Sequence, residues 1–558
     1  MRSLIPLTLL IAVFHTPVHA VIFPVHIQVN RNPSPSLSRR SPVPIGNIGN
    51  AQYVSNITLA GVQLPVLLDT GSSDLWVSFP QPSAAANVKD TGKSLTLSYA
   101  VGKASGNIQT AQIQFGNYTV DDQAFLLVND TSTFTSDIHS QGYDGLLGLG
   151  PNTGSLIGKK LSGSAGYSTL QRLFQQDKMT ANYISFLLDR KNDPGETFTG
   201  QITISEVVPG FENITSMPQL DVETVSRILK GDQHWQALTD KNNGITGPDG
   251  LPIQLKSIVP NAPSGQFVAV VDSGFTFSQV PRDISDAIYG RVNGAYYDTQ
   301  NEWWLVPCGQ YLNVSFNFGG NSYPVHPLDL VDDNFSQIDS TGKKVCIGAF
   351  QPITSAFSIL GHYDMILGMS FLRNTYTLLN FGDWIGTNGT QDHPFIQLAS
   401  VTNVAAARND FIQVRLGGND TINDPKWALL PTSQMQHSPV SAEEKKKAYE
   451  EKILSRWPYI LFGCLVFVLI LLGLCIWRCC CRRGKKQGTG AKKGFFSRKG
   501  GGVFAANQKR SSYVPLSTPN RSAGPYPPQT AGAFAQSQQN LHEGYGHGGH
   551  GFSGHRQV

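Results

Sequence analysis

The sequence contains few cysteines for its length, only seven among 558 residues. Five of them lie in or beside the apolar run 457–477, which leaves Cys308 and Cys346. In an oxidising compartment we expect these two to form one disulfide, which closes a loop of about 37 residues and stabilises the fold by about 3–4 kcal/mol. No histidine or second CxxC pair accompanies Cys479–Cys481, so S-acylation rather than metal binding is expected there.

The body of the chain has no excess of positive charge, although the whole sequence carries a net charge of +4. From Arg478 onward, thirteen Lys and Arg residues stand against one acidic residue, Glu543. The part before Arg478 therefore holds 30 basic and 38 acidic residues. An acidic body does not favour nucleic acid, and we expect no nucleic-acid partner.

Long stretches with helical periodicity are also rare in the body. Between Tyr53 and about Val401, apolar and polar residues alternate in short runs separated by Gly, Asn, Asp and Ser. This pattern predicts an all-β body. The better candidates for short helices are Ser168–Gln176 and Arg282–Val292.

Only two long apolar runs interrupt this pattern. The first, Leu4–Phe14, follows a charged head and precedes small residues, so residues 1–20 are predicted to be a secretory signal peptide, with a buried core helix as the alternative. The second, 457–477, is uncharged and long enough for one transmembrane helix. Basic residues after it place the C-terminus in the cytosol and the body outside, at the plasma membrane or in a vacuolar or secretory compartment.

The other segments are expected to connect or extend these parts. Residues 21–40 form a short leader that ends in a dibasic Arg-Arg pair, a plausible processing site. Residues 405–456 are predicted to be a polar tether followed by a charged stalk helix. The tail, 478–558, is predicted to be disordered, and its Lys/Arg cluster is expected to favour anionic lipids.

Sequons for N-glycosylation agree with passage through the secretory pathway. The eight Asn-x-Ser/Thr sequons before the second apolar run are at Asn56, Asn117, Asn129, Asn213, Asn313, Asn334, Asn388 and Asn419.

Two short segments share one plan: an apolar strand ends in Asp, a tight turn follows at Gly, and hydroxyl side chains lie nearby. The first segment, Val66–Ser73, contains Asp69, and the second, Val268–Phe275, contains Asp272. The apolar strand can hold a carboxylate rigidly while backbone NH groups and hydroxyls fix its orientation. A single Asp-Thr-Gly sequence is weak support for catalysis, because any turn prefers Asp and Gly.

With further motifs in the same order, these segments resemble the pepsin-like aspartic proteases over about residues 48–402. The matching parts are the first active-site motif (Asp69–Val77), the flap hairpin (Tyr99–Gly106), the apolar-apolar-Gly elements behind the catalytic loops (residues 143–150 and 366–373) and the C-terminal-lobe disulfide (Cys308 and Cys346).

The resemblance implies a bilobal fold with a pseudo-dyad, in which residues 41–200 and 201–404 form the two lobes and a peptide lies in the cleft between them. It implies a monomeric aspartic-type endopeptidase that acts on proteins or peptides without a cofactor or metal. Two adjacent carboxylates cannot both ionise cheaply, so they share one proton over a wide acidic range and can activate a bound water.

The resemblance also assigns roles to individual residues. Asp69 and Asp272 are the expected catalytic carboxylates. The expected supporting residues are Thr70 and Ser273 across the dyad, Gly71 and Gly274 in the turns, Ser72 beside Asp69, Tyr99 and Gly102 in the flap, and Trp76 behind Tyr99. Ordinary core packing is the alternative for Trp76 and Tyr99.

The sequence departs from the family at three places. Phe275 stands where a Thr or Ser usually contacts the second carboxylate; its absence is expected to raise the lower pKa of the dyad, unless Thr276 supplies the hydroxyl. The gap from Asp69 to Tyr99 is short and lacks a small disulfide loop. The leader is short for an inhibitory prosegment, so a cleaved but non-inhibitory leader is an alternative to zymogen control.

Two other functions stay open at this point. One is a pepsin-like binding or cell-surface protein in which Phe275 has weakened or abolished catalysis. The other is a sorting or signalling receptor with a protease-like ectodomain. The presence of both Asp residues favours the active endopeptidase.

Overall fold

The computed structural model describes residues 21–23 and 46–482, except 82–86, 100–101, 135–136, 177–180, 192, 196–197, 226–232, 354–361, 387–392 and 441. The predicted signal peptide, the dibasic pair and most of the predicted tail lie outside the described residues, as do the side chains of Cys479–Cys481.

Short strands dominate the body, as the alternating pattern predicts. They are β1 (Val21–Phe23), β2 (Gly46–Ile48), β3 (Gln52–Leu59), β4 (Val62–Asp69), β5 (Leu75–Val77), β6 (Lys89–Tyr99), β7 (Gly102–Phe115), β8 (Tyr118–Asp130), β9 (Gly145–Gly148), β10 (Tyr183–Leu187), β11 (Gln201–Ile204), β12 (Leu220–Asp221), β13 (Gln236–Leu238), β14 (Ile245–Thr246), β15 (Val268–Val271), β16 (Ser278–Val280), β17 (Tyr296–Asp298), β18 (Trp303–Pro307), β19 (Val314–Phe318), β20 (Asn321–Val325), β21 (Val331–Ile338), β22 (Lys344–Gly348), β23 (Phe350–Pro352), β24 (Met365–Leu367), β25 (Thr375–Asn380) and β26 (Phe395–Ser400).

Helices are short until the C-terminal end of the described chain. They are α1 (Leu156–Leu161), α2 (Thr169–Gln176), α3 (Arg282–Tyr289), α4 (Pro327–Leu330), α5 (Met369–Leu372), α6 (Val404–Leu416) and α7 (Ala442–Arg482). The sequence-based helix candidates are confirmed as α2 and α3, apart from their ends. In α3 the residues Ile284, Ile288 and Tyr289 are buried, so one face of the helix packs on the core.

The N-terminal lobe is built on an eight-stranded sheet with the order β2-β3-β4-β9-β5-β8-β7-β6. Strand β4 shows how the sequence sets its orientation. Leu64, Val66 and Leu68 are buried at alternate positions while Pro65 and Leu67 between them are partly exposed, because successive side chains of a strand point to opposite faces. The alternation therefore turns one face of β4 to the core and leads the strand to Asp69 at its end.

The C-terminal lobe contains a five-stranded sheet with the order β13-β15-β24-β16-β23, together with smaller sheets of three and four strands. All four residues of β15 are buried, which fits a strand covered on both faces. The predicted disulfide between Cys308 and Cys346 is confirmed and joins β22 to the segment after β18.

A six-stranded sheet joins the two lobes, with the order β1-β11-β10-β25-β26-β12. Strands β10 and β11 come from the first half of the body and β25 and β26 from the second. Strand β1, which belongs to the predicted leader, pairs antiparallel with β11 at the edge of this sheet. Strands from both halves of the chain thus pair in one sheet. The expectation of a mostly β, bilobal fold is confirmed.

Much of the segment expected to be a polar tether instead packs against the C-terminal lobe. We call residues 403–438 the C-terminal strap. Asn403 caps α6 by accepting hydrogen bonds from two backbone N–H groups, and Phe411 and Ile412 of this helix are buried. The sequence pattern missed this packing because the buried residues of α6 are few and stand among polar ones.

The far end of the strap is fixed at α3. The backbone N–H of Leu430 donates to the carbonyl oxygen of Arg291, and the Arg291 side chain donates back to the Leu430 carbonyl, both at 2.7 Å. Ser438 then donates to the buried carboxylate of Asp286 through its hydroxyl, at 2.6 Å, and through its backbone N–H, at 3.1 Å. These polar contacts, together with the packing of Leu429 against the core, hold this part of the chain on the lobe.

Helix α7 is the only described helix with a segment long and apolar enough to cross a membrane. This segment, Pro458–Arg478, agrees within one residue with the run 457–477 singled out in the sequence. The helix also includes the predicted stalk, with Pro458 inside it.

Candidate active site

Asp69 and Asp272 stand at equivalent positions in the two lobes. Asp69 is the last residue of β4, which pairs in parallel with β9, and Asp272 directly follows β15, which pairs in parallel with β24. The apolar-apolar-Gly elements noticed in the sequence are these parallel partners. Each side chain is only 6% exposed. The two strands thus deliver two carboxylates, from distant parts of the chain, to the boundary between the lobes.

The turn glycines let the carboxylates come close to each other. A Cβ atom added to Gly71 would lie 2.5 Å from the carboxyl carbon of Asp272, and one added to Gly274 would lie 2.5 Å from Oδ1 of Asp69. Neither glycine needs an unusual backbone angle here. What matters is the close approach, because each turn leaves the space that the opposite carboxylate occupies.

Thr70 and Ser273 brace the two loops against each other through four buried hydrogen bonds. The backbone N–H of Thr70 donates to Oγ of Ser273 at 3.1 Å, and the backbone N–H of Ser273 donates to Oγ1 of Thr70 at 2.9 Å. Each hydroxyl then donates to the opposite strand, Thr70 to the carbonyl of Val271 at 3.0 Å and Ser273 to the carbonyl of Leu68 at 2.8 Å. Each of the two hydroxyls thus accepts one hydrogen bond from the opposite loop and donates one to the opposite strand. These reciprocal bonds fix the position of one loop relative to the other.

The two carboxylates differ in their donors. Asp69 accepts from the backbone N–H of Gly71 at 2.9 Å and from the hydroxyl of Ser72 at 2.5 Å. Asp272 accepts from the backbone N–H of Gly274 at 2.7 Å, and no described hydroxyl is placed to donate to it. Burial and the negative charge of Asp69 raise the pKa of Asp272 well above its usual range.

Ser72 and Phe275 occupy corresponding places in the two loops. The carbonyl of Ser72 accepts from the backbone N–H of Gly150, and the carbonyl of Phe275 accepts from the backbone N–H of Met369, both at 2.7 Å. The backbone is therefore fixed alike although the side chains differ. The ring of Phe275 packs against a small cluster that includes Ile366.

The hydroxyl of Thr276 does not replace the missing one. It donates to the backbone carbonyl of Ala51 at 2.8 Å, so the expectation that Thr276 compensates for Phe275 is corrected. Thr276 lies in the bend before β16, where its hydroxyl contacts the other half of the chain instead of Asp272.

The predicted flap is a hairpin of β6 and β7 in which Tyr99 pairs with Gly102; the two residues at its tip lie outside the described residues. Gly102 has φ +153, a value that favours glycine. Burial and the negative charges of Asp69 and Asp74 raise the pKa of Tyr99 well above its usual value, while its contacts with Trp76 and Ser72 act in the opposite direction. The ring centroids of Trp76 and Tyr99 are 6.3 Å apart.

Phe134 lies beside the flap and was not singled out in the sequence. Its ring stacks on Trp76 with centroids 5.4 Å apart, and its Cδ1 would be 3.0 Å from a Cβ at Gly102. The hydroxyl of the preceding residue, Thr133, donates to the carbonyl of Lys103 in the flap hairpin. The turn before Phe134 is irregular and carries no family motif, so one sequence offers no signal for it.

A buried ion-pair network between the lobes was also missed. The Arg373 side chain donates to Oδ1 of Asp329 at 2.7 Å and to the backbone carbonyl of Asn50, in the other half of the chain, at 2.9 Å. Arg190 donates to Oδ2 of Asp329 at 2.6 Å. Although burial acts in the opposite direction, the two guanidinium groups lower the pKa of Asp329 well below its usual range. Partners so far apart in sequence cannot be paired without the fold.

No group of three or more His, Cys, Asp or Glu side chains able to hold a metal ion occurs within the described residues. The chemistry that the described site offers is that of the two carboxylates and the water that can stand between them.

Comparisons with known proteins agree with this geometry. A family model described as eukaryotic aspartyl protease matches residues 52–385. A probable aspartic-type endopeptidase of Arthroderma otae is 25% identical over 328 residues, which are 56% of this chain and 75% of that protein. Major aspartyl peptidase 1 of Cryptococcus neoformans is 23% identical over 60% of this chain and 67% of its own length.

A third similar protein is vacuolar protease A of Neurospora crassa. It is 23% identical over 369 residues, which are 63% of this chain and 81% of that protein. The family match ends at residue 385, so the C-terminal strap and α7 lie beyond it.

Proposed function

Because the chain belongs to the eukaryotic aspartyl protease family, we propose that this aspartic-type endopeptidase hydrolyses peptide bonds with a water molecule activated between Asp69 and Asp272, at acidic pH. The observation that carries the proposal is the pair of buried carboxylates at the ends of β4 and β15, held face to face by glycine turns and by the Thr70–Ser273 brace.

The unequal donors suggest which carboxylate holds the shared proton. The pKa of Asp272 is raised by burial and by the charge of Asp69, so Asp272 is the protonated member of the pair. Asp69 accepts from the Ser72 hydroxyl and the Gly71 N–H, whereas no described hydroxyl donates to Asp272. The two groups titrate together, so the apparent pKa values belong to the dyad.

The chemical step follows from this charge arrangement. Asp69 takes a proton from the bound water as the water oxygen attacks the peptide carbonyl carbon. Asp272 donates its proton to the developing oxyanion, and a carboxylate then returns a proton to the amide nitrogen as the C–N bond breaks. Rigid loops keep these groups at reacting distance, so little reorganisation is needed in the transition state.

The flap completes the site over the substrate. The partly exposed rings of Tyr99 and Phe134, which both contact the buried ring of Trp76, form an aromatic wall on the Asp69 side of the site. Such a wall excludes water from one side of the cleft and favours apolar side chains next to the cut bond. A preference for large apolar residues at that position is therefore part of the proposal.

The runner-up function is a pepsin-like binding or cell-surface protein with weakened catalysis. Phe275 is the specific observation in its favour, because Asp272 has no described hydroxyl donor. The backbone around Phe275 is nevertheless fixed in the same way as that around Ser72. The missing hydroxyl therefore changes the proton affinity of the Asp272 carboxylate rather than its position. For this reason the active endopeptidase remains the better supported function.

The test is peptide cleavage by the full chain in detergent-solubilised membranes, from pH 3 to pH 7, with and without pepstatin. We expect pepstatin-sensitive cleavage with an acidic optimum, and a loss of at least about 1,000-fold in kcat/KM for both Asp69→Asn and Asp272→Asn. Cleavage that survives either substitution, or that pepstatin does not inhibit, would indicate a contaminating protease. Folded, pepstatin-binding wild-type protein without cleavage would favour the runner-up.

We further propose that α7 anchors the protein in a membrane with the peptidase body on the non-cytosolic side. The apolar segment Pro458–Arg478 is followed by Arg482, Arg483, Lys485 and Lys486, and the positive-inside rule places this flank in the cytosol. An epitope tag after Val558 should react with antibody only in permeabilised cells. Staining of intact cells would overturn the orientation.

A further inference from the structure

Six of the eight sequons that precede the apolar run 457–477 have an exposed Asn in the structure. They are Asn117, Asn129, Asn213, Asn313, Asn334 and Asn419. Asn56 is half-buried in the middle of β3, where it pairs with Pro65 of β4, and Asn388 lies outside the described residues. The fold therefore separates sequons that can carry a bulky group without cost from one that cannot.

Two of the exposed sequons stand at opposite ends of the same hairpin, formed by β7 and β8. Asn117 lies in the turn between Phe115 and Tyr118, and Asn129 lies near the end of β8. Twelve residues of extended chain separate them, or roughly 35–40 Å. They are equally exposed but face different parts of the molecule.

Asn129 is at the base of the flap. The register of the hairpin shifts between Ser105, which pairs with Asp130, and Gly106, which pairs with Val128, so Asn129 is the unpaired residue of a β-bulge. Ser105 is three residues from Gly102, which puts this bulge about 10 Å from the described end of the flap. Beyond Asn129 the chain continues to Phe134, which contacts Gly102 and Trp76.

We propose that Asn129 carries an N-linked oligosaccharide and that this glycan restricts the entry of folded proteins into the cleft while short peptides enter freely. The second half of the proposal rests on the proposed endopeptidase function. The donor class is a lipid-linked oligosaccharide diphosphate. The bond between C1 of its first sugar and the diphosphate breaks, C1 bonds to Nδ2 of Asn129, one proton leaves the amide, and the lipid diphosphate departs.

The physical basis is excluded volume. A glycan is a hydrated, mobile chain, and a folded protein must displace it to bring a surface loop under the flap. A short peptide in extended form occupies little more than the cleft itself. A glycan on Asn117, roughly 35–40 Å away along the hairpin, occupies solvent that no substrate crosses.

The experiment compares four full-length proteins made in a eukaryotic secretory host: wild type, Asn129→Gln, Asn117→Gln and Thr131→Ser. The last variant keeps the Asn129 sequon. Mass analysis of peptides before and after endoglycosidase treatment reports each site. The kcat/KM is then measured for a short fluorogenic peptide and for folded serum albumin, and the melting temperature of each variant shows whether it is folded.

We expect glycan on Asn129 in wild type and Thr131→Ser, and its loss in Asn129→Gln. Removal should raise albumin cleavage about 3- to 10-fold with peptide cleavage within about twofold of wild type, whereas Asn117→Gln should change neither rate. An unmodified Asn129 in wild type overturns the site. Equal albumin cleavage in all four proteins overturns the access role. Wild type that cleaves neither substrate contradicts the endopeptidase function and the access role, while the mass data still decide the site.

Discussion

The loop that carries Asp69 and the loop that carries Asp272 follow the same backbone plan, but their carboxylates have different support. Both have a parallel strand behind them, a glycine facing the opposite carboxylate, and one half of the Thr70–Ser273 brace. Only Asp69 receives a side-chain hydroxyl from a described residue, that of Ser72. The two loops are thus symmetric in the contacts that fix the backbone, which we call the strict part of the pseudo-symmetry. They differ in the side-chain donor that affects the proton affinity of the carboxylate, which we call its relaxed part.

The largest expected effect tests the strict part of this comparison. Gly71→Ala and Gly274→Ala each place a Cβ inside the space of the opposite carboxylate. We expect both variants to lose at least about 100-fold in kcat/KM, because a displacement of about 1 Å is enough for such a loss. Steady-state kinetics at the pH optimum measures the loss of kcat/KM. If Gly274→Ala kept nearly full activity while Gly71→Ala lost it, the two glycines would not have equivalent roles.

The brace should show the same symmetry in stability. Thr70→Val leaves the Ser273 N–H and the Val271 carbonyl without their partner, and Ser273→Ala does the same to the Thr70 N–H and the Leu68 carbonyl. Each buried orphan group costs about 1–3 kcal/mol, so we expect about 2–4 kcal/mol of destabilisation from either change. Chemical denaturation measures the free energy of unfolding of both variants. If their losses differed by more than about 1.5 kcal/mol, the two halves of the brace would not contribute equally to stability.

Much of this plan can be predicted from the sequence. The alternating pattern identifies β4, the buried run identifies β15, and the paired Asp-Gly turns identify Asp69 and Asp272. The position of Phe134 and the Arg373–Asp329 pair cannot be predicted in this way, because they depend on an irregular turn and on contacts between residues far apart in the chain. The packing of the C-terminal strap on the lobe was missed for a third reason. Its few buried residues and its polar contacts produce no periodic pattern of apolar residues in the sequence.

The C-terminal lobe contains another buried carboxylate with a raised pKa, outside the two catalytic loops. Burial raises the pKa of Asp332, in the C-terminal lobe, to about 6. A carboxyl with a higher pKa in the folded than in the unfolded state stabilises the fold fully at pH values below about 4, and this contribution is lost as the pH rises to about 6. We expect a fall of up to about 3 kcal/mol over this window from Asp332 alone.

Asp332→Asn should therefore reduce the difference in melting temperature between pH 4 and pH 7. The exposed Asp383, in the same lobe, provides the control, and Asp383→Asn should leave the difference as in wild type. Thermal unfolding of the three proteins at both pH values measures it. An unchanged difference in Asp332→Asn would locate the pH dependence elsewhere.

The smallest expected effect tests the relaxed part of the comparison. Phe275→Thr introduces a hydroxyl where the Asp69 loop has Ser72. A hydrogen bond to the charged form of Asp272 lowers its raised pKa. Because Asp272 is the protonated member of the proposed pair, this change acts on the upper apparent pKa of the dyad rather than on the lower one expected from the sequence. The alkaline limb of the pH–activity profile should therefore move down by about 1 unit. Phe275→Leu removes the ring without adding a donor and is the control. Equal shifts in both variants would attribute the effect to the ring, and an unmoved alkaline limb in Phe275→Thr would reject the hypothesis.

The C-terminal strap has a mechanical consequence if α7 is anchored in a membrane, as proposed above. Tension on the chain beyond Ser438 would first load the bonds between Ser438 and Asp286 and then those between Leu430 and Arg291. Strand β26, which helps to join the lobes, lies behind these contacts in the path of the force. A pull transmitted through α7 would therefore have to break contacts on the surface of one lobe before it reached the six-stranded sheet that joins the two lobes.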